Sequence, residues 1–85
     1  MRGYQVVLQP KAWTVLAKTV GRNKRRLLAL LEGLQGKPFR AGDFQQQDDT
    51  GRWNEVVLME NWLVTYWCDH AVREIRVVNL QKVER

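Results

Sequence analysis

The apolar residues of this chain change their spacing once, near Asp43, and this change limits the possible folds. Before it, after a β-branched run at residues 4–9, apolar residues recur every three or four positions, which indicates amphipathic helices. After it, short β-branched and aromatic runs alternate with turn residues, which indicates strands. A chain with this order buries both kinds of apolar surface by packing helices on one face of a sheet.

Two helices are predicted in the first half of the chain. The first is expected to begin at Pro10 and to end at Gly21. The second is expected to have Asn23 as its N-cap and to end at Gly36, so that about three residues join the helices into a hairpin. Their apolar faces comprise Trp13, Leu16 or Ala17, and Val20 in the first helix, and Leu27, Leu28, Leu30, Leu31 and Leu34 in the second.

The second half is predicted to form a meander of strands joined by turns. The fold class is α+β: a two-layer sandwich of order β-α-α-β-β-β(-β), in which the helix hairpin packs on a mainly antiparallel sheet as a single domain over residues 1–85. The predicted strands are residues 4–9, 44–47, 53–59, 62–68 and 74–83. Leu27, Leu31 and Leu34 are expected to contact the sheet face that carries Trp62, Val64 and Tyr66.

The charge of the chain is unevenly distributed along its 85 residues. Residues 1–40 hold nine basic residues and one acidic residue, a net charge of +8, whereas residues 41–85 hold five basic and eight acidic residues, a net charge of −3. The first half therefore favours a polyanion, such as nucleic acid, or an acidic protein as partner. The alternative is that these charges only keep solvated helix faces soluble.

Several classes of protein are excluded by composition. One cysteine, Cys68, rules out an internal disulfide framework and a Cys-rich zinc module, and one histidine, His70, rules out a histidine metal cluster. We therefore expect no metal and no cofactor. No segment approaches the ~18 apolar residues of a membrane span, and the first residues lack the apolar region of a signal peptide. A cytoplasmic, reducing location without membrane contact is expected.

A series of short segments, in order, resembles a known family over nearly the whole chain. The segments are Tyr4-Gln-Val-Val-Leu, Pro10-Lys-Ala, Arg25-Arg-Leu-Leu, Lys37-Pro-Phe-Arg with Gly42, Gly51-Arg-Trp, and Trp62-Leu-Val-Thr-Tyr. In order and spacing they are similar to the RelE/ParE toxin superfamily of bacterial type II toxin–antitoxin systems. The resemblance implies the fold class given above.

The resemblance also implies two kinds of activity and one kind of partner. RelE-like toxins enter the ribosomal A site and cut mRNA without a metal, whereas ParE-like toxins poison DNA gyrase. Both are held inactive by an antitoxin whose C-terminal segment wraps the toxin. The implied partners are therefore a cognate antitoxin, with an acidic segment or a DNA-binding function, and the ribosome with its mRNA. The assembly is a heterocomplex or a homodimer.

The catalytic cations of RelE-like members are largely replaced in this chain. Asn54, Val56 and Leu63 occupy positions where the family pattern has lysine or arginine, so the charge that develops at a scissile phosphate would be poorly stabilised. Whether the protein is an mRNA endoribonuclease stays open, and at most weak ribosome-dependent cleavage is expected. The remaining cations nearest the working end of the predicted sheet are the catalytic candidates: Arg52, Arg76, Lys82 and Arg85.

A dense run of cations and one tryptophan are the candidate binding residues. Arg22, Lys24, Arg25 and Arg26 lie at the start of the second helix, where the macrodipole disfavours cations, which suggests that the charges contact phosphates or the acidic segment of an antitoxin. The alternative is that these four side chains contact only solvent. Trp67 has the opposite parity from Tyr66 and is expected to be exposed, either as a base-stacking platform or as a protein contact, which is favoured because its neighbours are not basic.

The other conspicuous side chains are assigned structural roles. His70 is expected to be a solvated turn residue, and Cys68 an unreactive buried thiol. Trp13, Trp53 and Trp62 are expected to lie in the core.

The leading functional hypothesis is a toxin-like component of a type II toxin–antitoxin system that interferes with translation through RNA or ribosome binding. Two alternatives stay open. One is a ParE-like, non-nuclease poison of a protein target such as DNA gyrase. The other is a degenerate, non-toxic member that binds protein or nucleic acid.

Overall fold

The helical and strand-forming parts of the sequence form two layers in a computed structural model, which describes residues 3–83. The elements follow the predicted order, and most bounds agree with the prediction within two residues. They are β1 (Gln5–Leu8), α1 (Pro10–Lys18), α2 (Gly21–Gln35), β2 (Phe44–Gln47), β3 (Trp53–Met59), β4 (Trp62–Asp69) and β5 (Glu74–Lys82).

The five strands form one mixed sheet in the order β1-β5-β4-β3-β2. β2 to β5 are an antiparallel meander, and β1 pairs in parallel with β5. The register of β4 and β5 shifts once: Thr65 pairs with Asn79, but Tyr66 pairs with Val77, so Val78 has no opposite residue. Such a bulge bends the strand and increases its twist. The mainly antiparallel sheet of the sequence prediction is confirmed.

The core lies between the helices and one face of this sheet. The helices contribute Leu16, Leu27, Leu31 and Leu34, and the sheet contributes Val57, Trp62, Val64, Tyr66, Ile75, Val77 and Leu80. Alternate residues of β4, and of β5 on either side of its bulge, reach this layer, as the pleat requires. The predicted contact of α2 with the face carrying Trp62, Val64 and Tyr66 is therefore confirmed, and with it the α+β class.

The turn between the helices differs from the prediction. α1 ends at Lys18, and Gly21 begins α2 instead of ending α1. Gly21 has φ of +60°, a left-handed conformation that glycine adopts at little cost, so the chain reverses within Thr19 and Val20. Asn23 consequently lies inside the first turn of α2 and is not its N-cap.

The predicted core role of the tryptophans is confirmed for Trp62 and wrong for Trp13 and Trp53, which are largely exposed. α1 buries only Ala12 and Leu16, and Trp13 follows Ala12 by about 100° of helical rotation, so it lies at the edge of the packed face, in a groove that Val6 and Leu8 also line. Trp53 begins β3 and pairs with Gln47 of the edge strand β2, whose residues are all exposed.

Candidate functional site

The face of the sheet opposite the helices, here called the open face, is formed by the alternate residues of β3, β4 and β5. Its cross-strand pairs include Thr65 with Asn79 and Trp67 with Arg76. Most of this face is uncharged, and its charged side chains, which include Arg76 and Glu74, lie at one end. The open face carries Asn54, Val56, Leu63, Thr65, Trp67, Arg76, Asn79 and Gln81.

Two of the four catalytic candidates meet on the candidate binding residue Trp67. The guanidinium carbon of Arg52 lies 3.9 Å from the centroid of the Trp67 ring, and that of Arg76 lies 5.6 Å from it. Both distances are in the range of cation–π attraction. Trp67 is accordingly half-buried, not fully exposed as expected. We call this group the Arg52–Trp67–Arg76 stack.

The guanidinium of Arg76 is positioned by the strand on which it lies. Arg76 Nη2 donates to Glu74 Oε1 at 2.7 Å, between side chains that are one quarter to one third exposed. Glu74 and Arg76 are two residues apart on β5 and therefore project from the same face. The ion pair therefore runs along a single strand and not between two strands.

Two buried polar atoms beside the stack have no hydrogen-bond partner among the described residues: Asn54 Oδ1 and Arg76 Nε. Asn54 is only 2% exposed, and its Nδ2 donates to Asp48 Oδ2 at 3.3 Å. An unpaired buried polar atom costs about 1–3 kcal/mol, so each of the two calls for a partner such as a water molecule or a ligand. Sequence reasoning treated Asn54 only as a lost cation and missed this property.

Arg52 is held at the stack by the turn between β2 and β3. The Asp48 carboxylate accepts hydrogen bonds from the Thr50 hydroxyl and from the backbone N–H groups of Thr50 and Arg52, the last at 3.0 Å. These bonds, the Thr50 hydroxyl first, hold the pKa of Asp48 below its ordinary value. The turn chemistry predicted for residues 48–51 thus fixes the backbone from which Arg52 projects.

The loop that connects α2 to β2 lies across the end of the sheet beside the stack. Its hydrogen bonds to the sheet include those from Gly42 N–H to Glu55 Oε1 at 2.7 Å, from Tyr66 Oη to the Arg40 carbonyl at 2.9 Å, and from Cys68 Sγ to the Pro38 carbonyl at 3.0 Å. Burial raises the pKa of both Tyr66 and Cys68, so both groups stay protonated donors near neutral pH. The core role of Tyr66 is confirmed.

Between this loop and the sheet lies an open cleft of about 440 Å³. Cations and aromatic rings line it together, which is a surface suited to phosphate groups and unpaired bases. The residues that give it this character are Phe39, Arg40, Arg52, Trp53, Trp67 and His70. Of these, only Arg52 and Trp67 were site candidates from the sequence.

His70 lies in an aromatic cluster that sequence reasoning missed. Its ring stacks on Phe39, with centroids 4.9 Å apart and planes 5° apart, and its Nδ1 lies 2.6 Å from Tyr4 Oη. The ring of Tyr4 also packs edge-on against Phe39, with centroids 6.0 Å apart. His70 is exposed, as predicted, but it anchors the loop through Phe39. No local signal indicates this, because Tyr4 and His70 are 66 residues apart.

Of the other two catalytic candidates, Lys82 is not part of the stack. Lys82 pairs with Trp62, on the helix-covered side and five residues along β4 from Trp67, which is about 17 Å in a strand. It lies near Glu60, Asn61 and Trp62, at the far end of the molecule from the stack. Arg85 lies outside the described residues.

The candidate cations of α2 also lie away from the stack. Arg22, Arg25 and Arg26 are exposed and Lys24 is half-buried. Arg26 Nε pairs with Glu60 Oε1 at 3.1 Å, an exposed ion pair that contributes at most ~1 kcal/mol. The first turn of α2 contains no acidic residue to offset its cations.

Searches with the sequence alone find no matching protein-family model and no matching curated protein. Neither helix in the described part of the chain is long and apolar enough to cross a membrane. Among residues 3–83, no three His, Cys, Asp or Glu side chains are grouped so as to hold a metal ion.

Comparison with solved structures shows the fold. The RelBE2 toxin–antitoxin complex from Mycobacterium tuberculosis contains a chain with a TM-score of 0.77 at 15% identity, over 95% of this chain and 99% of that one. The archaeal RelE–RelB complex from Pyrococcus horikoshii OT3 gives 0.69 at 16% identity over 99% of each chain. The intact RelBE complex from E. coli gives 0.67 at 16% identity, over 96% and 99%. The chain therefore has the fold of RelE toxins.

Proposed function

We propose that this protein is the toxin of a type II toxin–antitoxin system and that it interferes with translation by binding RNA on the ribosome. The observation that carries the proposal is the Arg52–Trp67–Arg76 stack on the open face of a RelE-like fold. The two guanidinium groups supply phosphate contacts, and the exposed rings of Trp53 and Phe39 in the adjoining cleft supply stacking, which together suit single-stranded RNA. This action takes place in the cytoplasm.

The chemistry of the open face supports binding more than cutting. Asn54, Val56 and Leu63 leave the centre of the face without cations, so little there stabilises the charge of a phosphorane-like transition state. Cys68 and Tyr66 stay protonated and donate to the loop, so neither acts as a base near neutral pH. Any cleavage is expected to depend on the ribosome and on Arg52 and Arg76.

The proposed protein partner is a cognate antitoxin. All three solved neighbours are toxin–antitoxin complexes, and the excess of cations in residues 1–40 suits an acidic protein segment. The same surface charge suits ribosomal RNA when the antitoxin is absent.

The decisive experiment combines induced expression in cells with primer extension on ribosome-bound mRNA. A double variant, Arg52→Ala with Arg76→Ala, removes both cations of the stack. The matched control, Lys11→Ala with Lys18→Ala, removes the same total charge from the exposed surface of α1, away from the stack. The proposal expects growth arrest and altered ribosome footprints with the natural chain and the control, and loss of both with the stack variant.

Each other outcome assigns a different function. Growth arrest without any change on mRNA or ribosomes would contradict the proposal and favour a protein target such as DNA gyrase. Absence of arrest and of RNA binding would favour a non-toxic binding module. Robust codon-dependent cuts that disappear in the stack variant would support ribosome-bound mRNA as the target. They would also show that the open face is catalytic.

A further inference from the structure

A half-buried carboxylate, that of Glu55, lies in the cleft between the sheet and the loop that connects α2 to β2. Glu55 pairs with Tyr66 across β3 and β4, so it projects to the side of the sheet that this loop covers. Glu55 Oε1 accepts a hydrogen bond from the Gly42 N–H, and Oε2 accepts one from Gln45 Nε2, both at 2.7 Å. These two bonds orient the carboxylate, and each oxygen keeps a further lone pair.

The charge of Glu55 is not neutralised by the cations that line the same cleft. Arg40 and Arg52 both belong to the lining, yet among the described residues no basic side chain forms an ion pair with Glu55. The two hydrogen-bond donors of Glu55 are neutral groups. Because a carboxylate that is partly removed from water gains most from charge-assisted hydrogen bonds, Glu55 has capacity for a ligand that presents further donors.

Two exposed aromatic rings line the cleft together with this carboxylate. Trp53 is 58% exposed and lies two residues before Glu55 on β3, which places it on the same side of the sheet and about 7 Å along the strand. Phe39 is 79% exposed and lines the cleft from the loop, with His70 stacked on one face of its ring. A flat ring next to oriented hydrogen-bonding groups is the combination that binds an unpaired nucleobase, because the base stacks on the ring and its edge forms hydrogen bonds.

The acceptor character of Glu55 discriminates among the four bases by the edge that each base presents. Guanine has two neighbouring donors, N1–H and N2–H, which match the two oxygens of one carboxylate. Adenine and cytosine each have one donor beside a ring-nitrogen acceptor, and uracil has one donor between two carbonyl oxygens. With these three bases an acceptor of the base would face the carboxylate, and two facing acceptors leave each other unpaired.

We propose that the cleft is a guanine-selective site for single-stranded RNA, in which the carboxylate of Glu55 accepts hydrogen bonds from N1–H and N2–H of one unpaired guanine. The guanine ring stacks on Trp53, and a phosphate of the same strand contacts Arg52, which belongs to both the cleft and the Arg52–Trp67–Arg76 stack. This inference rests on the proposed function, because it takes RNA as the ligand. It goes beyond that function by making Glu55 a specificity-determining residue.

The guanidinium group of an arginine on a protein partner also presents paired donors to a carboxylate. The charges of the cleft favour the guanine over such an arginine. Two arginines, Arg40 and Arg52, line the cleft against one acidic residue, Glu55, so a cationic side chain is repelled there and an RNA phosphate is attracted. An arginine-containing peptide is therefore the competing ligand in the test.

Short fluorescent oligouridines with one variable central nucleoside serve as probes. The central position carries uridine, adenosine, cytidine, guanosine or inosine. Fluorescence anisotropy with the full chain should show that the guanosine RNA binds about tenfold more tightly than the uridine, adenosine and cytidine RNAs, as expected for one bidentate contact to a base edge. Inosine keeps N1–H but lacks the N2 amino group, so the inosine RNA should bind about threefold more weakly than the guanosine RNA.

Matched variants separate base selectivity from overall affinity. Glu55→Gln should remove the guanosine preference and leave the affinity for the uridine RNA nearly unchanged. Asp43→Asn is its control, because Asp43 Oδ2 also ties the end of the loop to β3, by accepting from the Leu58 N–H at 2.7 Å, but does not line the cleft. Trp53→Ala should weaken binding of all these RNAs by about tenfold, because stacking tolerates every base. Leu58→Ala is its control, since Leu58 is 43% exposed but lies outside the cleft.

The base preference of the natural chain is measured without any variant, so the inference can fail even if Glu55→Gln does not fold. A guanosine preference that survives Glu55→Gln, or that Asp43→Asn removes equally, would overturn it. Binding of a capped, arginine-containing peptide that depends on Glu55, without any preference among the RNAs, would assign the cleft to a protein partner instead. Equal affinities for all the RNAs that are lost when Arg52 and Arg76 are replaced by alanine would overturn the inference and leave the proposed function intact, whereas no binding of any RNA would contradict both.

Discussion

Replacing Gly42 by alanine should release the loop between α2 and β2 and destabilise the protein. An ideal Cβ at Gly42 would lie 2.7 Å from the Val56 carbonyl oxygen and 2.8 Å from the Val56 nitrogen. Both atoms are backbone atoms of β3, which is paired on both sides and cannot yield. The loop must therefore move away from the strand.

The cost follows from the bonds that this movement breaks. The hydrogen bonds from Gly42 N–H to Glu55, from Tyr66 Oη to Arg40 and from Cys68 Sγ to Pro38 all depend on the present loop position. Each is worth about 1 kcal/mol, and Tyr66 is fully buried, so its hydroxyl would be left unpaired. We expect a loss of about 2–4 kcal/mol, out of the roughly 4–13 kcal/mol available to a domain of this size.

Urea denaturation followed by tryptophan fluorescence and by circular dichroism measures this change. Gly33→Ala is the matched control, because Gly33 lies inside α2 and nothing lies within 4 Å of its ideal Cβ. Alanine there should raise the free energy of unfolding by about 0.5–1 kcal/mol. A change below about 0.5 kcal/mol for Gly42→Ala would refute the argument that contact with Val56 and the three loop bonds fix this loop.

Three further predictions concern the core, the turn and the basic helix. Leu31→Ala should cost about 2–5 kcal/mol in chemical denaturation, since Leu31 is buried between α2 and the sheet. The pKa of Asp48 is lowered in the folded state, so its stabilisation is present above its unfolded pKa and is lost as pH falls through the folded one. Denaturation of the natural chain and of Asp48→Asn should therefore differ more at pH 7 than at pH 3. Replacing Arg22, Lys24, Arg25 and Arg26 by glutamine should flatten the log–log salt dependence of single-stranded RNA binding by about 2–3 units, and an unchanged slope would assign these cations to a protein partner.

The order of elements could be read from the sequence because each signal was local. The period of apolar residues, the turn residues at 48–51 and the breakers at Gly36 and Pro38 act within a few positions. The hairpin between the helices was placed two residues too late, because the left-handed conformation at Gly21 competes with the N-cap signal of Asn23.

The site was only partly predictable, because it joins residues from separate elements. Side chains alternate along a strand, so the sequence places Trp67 on the face opposite Tyr66. Only the pairing of β4 with β5 shows that Arg76 lies beside Trp67. The contact of Arg52 with Trp67 depends on the turn at Asp48. Tyr4, Phe39 and His70 come from three different segments, so nothing in the sequence indicates their cluster.

The parallel pairing of β1 with β5 sets the order of events during synthesis. β1 is made first but pairs with a strand that begins only at Glu74, and β5 supplies Ile75, Val77 and Leu80 to the core. The helices therefore cannot pack on a complete sheet until β5 has left the ribosome. Folding depends on contacts between residues that are far apart in the sequence, so it must wait for β5. Arg76 also belongs to β5, so the stack cannot form earlier. The action on ribosomes proposed above is therefore expected only of chains whose β5 has emerged.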